Sequence, residues 1–211
     1  MLGGNTGIRN GECIKKSMTS HLKKELVISR ERIRRRVGEL GKRISLDYSG
    51  KEPVFVGILN GAVFFFADLI RKIEIPLKID FIRAASYGSG TSSSGSIRFT
   101  KDLEIPIQGQ PVIVVEDIVD TGLTMKKIVE ILSSRGPESV KTCVLIDKRE
   151  RRENDVAIDY CGFRIEQGFL IGYGLDYNEQ YRYLPDIFSL SEEACRQMED
   201  SHDNRMRGMP V

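Results

Sequence analysis

Apolar positions along this chain alternate between short runs and helical spacing. Ile33, Val37, Leu40 and Ile44 recur every three or four residues, which predicts an amphipathic helix over roughly 31–45. The run VFVGIL at 54–59 ends in Asn60-Gly61 and reads as a buried strand feeding a tight turn. Phe-rich text at 62–72 predicts a helix, and 79–85 a second strand. Residues 112–117 form a nearly all-apolar strand that closes on two acids. Met125, Ile128, Ile131 and Leu132 then mark a helix stripe, stopped by Gly136-Pro137. Strands follow at 140–146 and 169–171, and Ser191-Glu192-Glu193 reads as a helix start capped by Ser191. This alternation, with no internal repeat, predicts an α/β domain.

Other features of the text refine that picture. The stretch YGSGTSSSGS at 87–96 is poor in apolar residues. The text before it is short for a separate domain, and the α/β alternation resumes after it. A mobile loop of lid type inside one domain is therefore expected, not a linker. Residues 1–22 and 198–211 read as flexible tails around a domain at 23–197. No apolar run approaches the roughly 20 residues of a membrane span, and the N-terminal text has no secretory core. With 32 basic and 30 acidic side chains, charge balance gives no reason to expect a nucleic-acid surface. The basic run at 30–36 reads as the exposed face of a helix. The four cysteines form no CxxC pair and the two histidines sit near the ends, which argues against zinc. Cys143 and Cys161 lie in strand-like text and are expected in the core, reduced, in a cytoplasmic protein.

The segment VIVVEDIVDTGLT at 112–124 carries the chemistry. A strand emerges into Glu116-Asp117, and the loop 118–122 leads into a helix near Thr124. Ligands of open α/β sheets bind where strands end, and a helix N-terminus presents unpaired N–H groups to an anion. Gly122 permits close backbone approach, while Thr121 and Thr124 add hydroxyl donors. That combination suits a phosphate. The carboxylates repel a phosphate; they suit ribose hydroxyls or a hard cation such as Mg²⁺. A phosphorylated ribose brings these groups together.

This segment closely resembles the signature of type I phosphoribosyltransferases. The span from about residue 25 to 190 resembles the bacterial hypoxanthine-guanine phosphoribosyltransferases. Five pieces agree in order: LNGA (59–62), SYGSGTSSSG (86–95), VEDIVDTGLT (115–124), IDKRERR (146–152) and GFLIGYGLDYNEQYRYLP (168–185). The resemblance implies a central, mostly parallel sheet flanked by helices, with a small hood over a purine site. The hood would come from the N-terminal part and about 150–190. It implies a Mg²⁺-dependent purine-salvage transferase that turns hypoxanthine or guanine and 5-phosphoribosyl-1-pyrophosphate into IMP or GMP and pyrophosphate.

Residue roles follow from the same resemblance. Glu116 and Asp117 hold the ribose hydroxyls, directly or through Mg²⁺. Asp120 is the catalytic base at purine N7. Asp120, Thr121, Gly122, Leu123 and Thr124 wrap the 5′-phosphate. Asn60 and Gly61 form the pyrophosphate turn, often with a non-proline cis peptide, and Arg182 contacts pyrophosphate. Lys148 donates to the 6-oxo group, Phe169 stacks on the base, and Leu170 offers backbone groups. Asp176 lies near the 2-position and helps hold a second Mg²⁺. Ser86 and Tyr87 travel with the lid. The chain departs from the common LKG pattern at Asn60, where many relatives carry Lys. A homodimer or homotetramer without nucleic-acid or membrane partners is implied. The alternatives are a phosphoribosyl-pyrophosphate sensor of the same fold, or a transferase for xanthine or another base. A donor at Lys148 favours a 6-oxopurine over adenine.

Overall fold

The computed structural model describes residues 23–86 and 97–191. Contacts divide the chain into a unit spanning Leu26–Ser189 and a second comprising Met1–Glu25 with Leu190–Val211. Of that second unit only residues 23–25, 190 and 191 are described. Both tails, Tyr87 with the Gly/Ser loop, and the helix start after Ser191 lie outside the described residues. So do the side chain of Ser86, Cys13, Cys195, His21 and His202.

In chain order, β1 (Lys24–Ile28) leads into α1 (Arg30–Asp47), then β2 (Val54–Ile58), α2 (Val63–Ile70), β3 (Lys78–Ser86) and β4 (Ile97–Lys101). β5 (Pro111–Val119), α3 (Leu123–Ser133), β6 (Ser139–Lys148), β7 (Tyr160–Ile165), β8 (Phe169–Ile171) and β9 (Ile187–Leu190) follow. Ser29 caps α1 by accepting a hydrogen bond from the Arg32 amide at 3.4 Å. The helix buries Ile33, Val37, Leu40 and Ile44, the four positions that its spacing marked. Its basic run is only partly solvated. The Arg36 guanidinium donates to the carbonyls of Cys161 (2.7 Å) and Gly162 (2.9 Å) on β7.

Six strands form one sheet in the order β4-β3-β2-β5-β6-β7, parallel except for the antiparallel pair β3-β4. The expected mostly parallel sheet is present. Its central strands are apolar on both faces because both are covered. Ile113 and Val115 of β5 pack with the buried residues of α1 and α2. Val112, Val114 and Val119 pack on the other face with Met125, Ile128 and Leu132 of α3. Each such side chain contributes about 1.5–3 kcal/mol of transfer free energy.

Several boundaries differ from the sequence reading. α2 stops at Ile70 rather than 72. β5 does not end at Asp117 but continues through Ile118 and Val119, because Val119 still pairs with Asp147 on β6. The loop is thereby shortened to Asp120, Thr121 and Gly122. β6 likewise extends to Lys148, which places that lysine on the strand end. Cys143 is buried as expected, but Cys161 is only half-buried on β7, the last strand of the sheet order. β1, β9 and β8 form a second sheet in that order. Between β8 and β9 the chain folds through bridges Gly172–Leu175 and Tyr177–Gln180. Tyr173, Asn178, Glu179 and Tyr181 hold positive φ there, between 49° and 71°.

Candidate active site

At the C-terminal ends of β2, β5 and β6 lies a cleft of about 370 Å³. It gathers Gly61, Glu116, Asp117, Asp120, Thr124 and Lys148 with Phe169, Leu170, Asp176 and Arg182. All ten were candidates from the sequence. Asn60, Thr121, Gly122 and Leu123 belong to the same turn and loop but do not line the cavity.

The floor is set by close backbone packing. The Leu59–Asn60 peptide is cis. Gly61 sits against Asp117 so closely that a Cβ would run into its carboxylate. Gly174, at φ +101°, sits just as closely on the Gly61 carbonyl. Glycine is required at both positions by the close approach, and at Gly174 also by the left-handed backbone.

Burial pushes the Glu116 carboxyl well above the usual range, and the neighbouring Asp117 charge adds to the effect. Asp117, 7% exposed, is raised by burial too, although Glu116, the Ile118 amide and Arg182 pull the other way. The Asp117 amide donates to Glu116 Oε1 at 2.9 Å, and the Ile118 amide to Asp117 Oδ1 at 2.8 Å. Two acids held together in a desolvated place suit a cation or a sugar diol, either of which would relieve their repulsion. Among the described residues, no three His, Cys, Asp or Glu side chains are gathered as a metal cage. Asp176 lines the cleft without joining the pair in such a group.

Asp120 follows β5 directly. One carboxylate oxygen, Oδ2, accepts from Arg151, whose Nε lies at 3.1 Å, and has the Lys148 ammonium at 3.8 Å. The other, Oδ1, is buried without a hydrogen-bond partner. Buried acceptors are rarely left so. Lys148, 6% exposed, also faces Glu150 at 3.2 Å. Across the cleft Phe169 is 42% exposed and meets Tyr177 edge-on, centroids 5.3 Å apart. Tyr177 is buried. Arg182 donates to the Gly174 carbonyl (2.8 Å) and pairs with Asp176 (2.9 Å) and Glu179 (3.0 Å). These surface ion pairs and the cleft position coexist.

Residues 27–178 match the family described as phosphoribosyl transferase domain. The chain belongs to the phosphoribosyltransferase family. It is 46% identical to the hypoxanthine-guanine phosphoribosyltransferase of Aquifex aeolicus, over 81% of this chain and 96% of that one. It is 45% identical to the hypoxanthine phosphoribosyltransferase of Salmonella typhimurium, over 77% and 93%. Among solved structures, a hypoxanthine phosphoribosyltransferase from Staphylococcus aureus is similar at TM-score 0.78 and 44% identity, covering 82% of this chain and 93% of that one. The sheet and its flanking helices are thus a type I phosphoribosyltransferase fold.

The cleft and its support contain residues that sequence reasoning passed over. Arg151 lines the cleft and holds Asp120. Arg152 and the buried Asp147 sit behind the loop. All three belong to IDKRERR, where only Lys148 was singled out. A charged cluster reads as solvated surface unless its burial is known. The one available signal was that Asp147 closes the apolar run CVLI.

Proposed function

We propose that the chain is a purine-salvage enzyme that transfers the 5-phosphoribosyl group to hypoxanthine or guanine, forming IMP or GMP and pyrophosphate. The observation that carries this reading is the meeting of the Glu116–Thr124 segment with Lys148, Phe169, Leu170 and Asp176 in one cleft. The names of the relatives support the same reaction.

In this reading the exposed face of Phe169 stacks on the base, a contact of about 1–3 kcal/mol. Lys148 donates to the 6-oxo oxygen. Leu170 offers backbone groups, and Asp176 lies toward the 2-position. N9 attacks C1′ as the bond from C1′ to the pyrophosphate oxygen breaks, and the leaving group keeps that electron pair. The proton on N7 passes to Asp120, whose unpartnered Oδ1 is the acceptor ready for it. Thr121, Gly122, Leu123 and Thr124 bind the 5′-phosphate. The Asn60-Gly61 turn and Arg182 bind pyrophosphate, so Arg182 exchanges its carboxylate partners for the substrate. Glu116 and Asp117 would hold the ribose hydroxyls or Mg²⁺, and Asp176 would help hold a second ion. When bound, Mg²⁺ would neutralise charge on the leaving pyrophosphate. We place the transferase domain at 23–197. The free thiols of Cys143 and Cys161 suit a reducing, cytoplasmic compartment. A homodimer or homotetramer is expected on light scattering.

The test is nucleotide formation from phosphoribosyl pyrophosphate, Mg²⁺ and hypoxanthine, guanine, xanthine, adenine or uracil in turn. Product is expected with hypoxanthine or guanine, lost on adding EDTA and regained with excess Mg²⁺. No product with any 6-oxopurine would sink the reading.

A further inference from the structure

Three successive carbonyls, from the last residue of β5 into the phosphate loop, are captured from one side. Arg152 Nε donates to the Asp120 carbonyl at 2.8 Å, and its Nη2 to that of Val119 at 2.9 Å. The Thr121 carbonyl accepts from the amides of Glu153 (3.1 Å) and Asn154 (2.9 Å). The same Nη2 reaches the Lys148 carbonyl at 3.1 Å and pairs with Asp147 Oδ1 at 2.6 Å. Asp147 is 3% exposed and stands beside Val119 in the sheet. The guanidinium is therefore anchored by a buried carboxylate, while its Nε and Nη2 also hold the carbonyls of Asp120 and Val119. Gly122, at φ +82°, lies against this support: a Cβ there would stand 3.2 Å from Arg152 Cδ and closer still to the Asn154 carbonyl.

In a trans peptide the N–H of each residue points opposite to the preceding carbonyl. Fixing the carbonyls of Val119, Asp120 and Thr121 toward residues 152–154 therefore turns the amides of Asp120, Thr121 and Gly122 away from them. We propose that Arg152, seated on Asp147, is the positioning residue that sets this loop to receive the 5′-phosphate. It acts through the backbone and does not touch the ligand. A planar fork is needed, because one group must satisfy several acceptors at fixed angles; a lysine ammonium would keep the charge and lose the geometry.

The inference rests on the phosphoribosyl reading, and the experiment separates the two. Binding of IMP and of inosine, which differ only in the 5′-phosphate, is measured by calorimetry for the wild type, Arg152→Ala and Arg152→Lys. The wild type should prefer IMP. Arg152→Ala should lose about tenfold or more of that preference while inosine binding holds. Added guanidinium ion, below denaturing concentration, should restore part of the loss. Arg152→Lys should lose preference as well; it carries the test alone if the alanine variant does not fold. Equal weakening of IMP and inosine, or full preference in both variants, would overturn the positioning role. A wild type that does not prefer IMP overturns the phosphate site and this inference with it.

Discussion

On the sheet side of the cleft, ligand-binding groups hang from backbone whose course is fixed by its neighbours. β5 delivers Glu116, Asp117 and Asp120 through parallel pairing with β6, Gly61 packs on Asp117, and Arg152 holds the loop carbonyls. In the hood and at the end of β6, on the purine-facing side, the groups are side chains occupied with one another. Arg182 pairs with Asp176 and Glu179, and Lys148 with Glu150. Four non-glycine residues there hold positive φ. On the proposed function, the sheet side would receive a ribose phosphate on backbone already in place, whereas the hood would exchange ion pairs to read a base. Damage to the sheet side should affect every substrate pair alike, and damage to the hood should discriminate between bases.

Asp120→Ala should have the largest effect, because it removes the proton acceptor of the proposed mechanism. A fall in kcat of about 10²–10⁴ is expected, with little change in KM for phosphoribosyl pyrophosphate. Steady-state kinetics with both substrates varied reads this directly. An unchanged kcat would remove Asp120 from the chemistry. Gly61→Ala comes next. Its methyl group meets the Asp117 carboxylate, so the turn or the acid must shift. KM for phosphoribosyl pyrophosphate should rise about tenfold with every base, and thermal melting should show a loss of roughly 1–3 kcal/mol. A base-dependent loss would blur the division between the two sides.

Glu116→Gln tests the acid pair. Burial and Asp117 raise the Glu116 carboxyl in the folded chain. A raised group stabilises below its unfolded value and loses that contribution as pH climbs through the folded one. The ligand-free protein should lose stability as pH rises above the ordinary carboxylate range. The glutamine keeps the Oε1 acceptor for the Asp117 amide without the charge. It should flatten that dependence and raise Tm at neutral pH by a few degrees, about 2–4 °C per kcal/mol, while activity falls. A lower Tm at neutral pH would contradict the repulsion. Phe169→Ala should be the mildest for stability, within about 0.5 kcal/mol because the ring is half-exposed. It should still weaken purine binding several-fold.

Legibility in the sequence followed the same division. The sheet was readable because a strand buried on both faces must be apolar throughout, and the 112–124 text shows both that run and the acids closing it. The strand's true end at Val119 was not read, because the acids at 116–117 interrupt the apolar text before Ile118 and Val119, which still pair with β6. β7, with the mixed text YCGFRI, carries no strong period, and the alternation of β4 in IRFTK is too short to stand out. In the hood, β8 was visible as FLI, but positive φ at Tyr173 and Tyr181 follows no local preference and is imposed by packing. Arg152 was hidden for the converse reason: its text is charged, but its position is behind the loop.

The sharpest single test compares kcat/KM for hypoxanthine and for adenine in the wild type and Lys148→Ala. The account predicts a strong wild-type preference for the 6-oxopurine. The variant should lose most of that ratio while KM for phosphoribosyl pyrophosphate stays near its wild-type value. An unchanged ratio, or a rise in both Michaelis constants by the same factor, would contradict a hood that reads the base apart from a sheet edge that reads the phosphate.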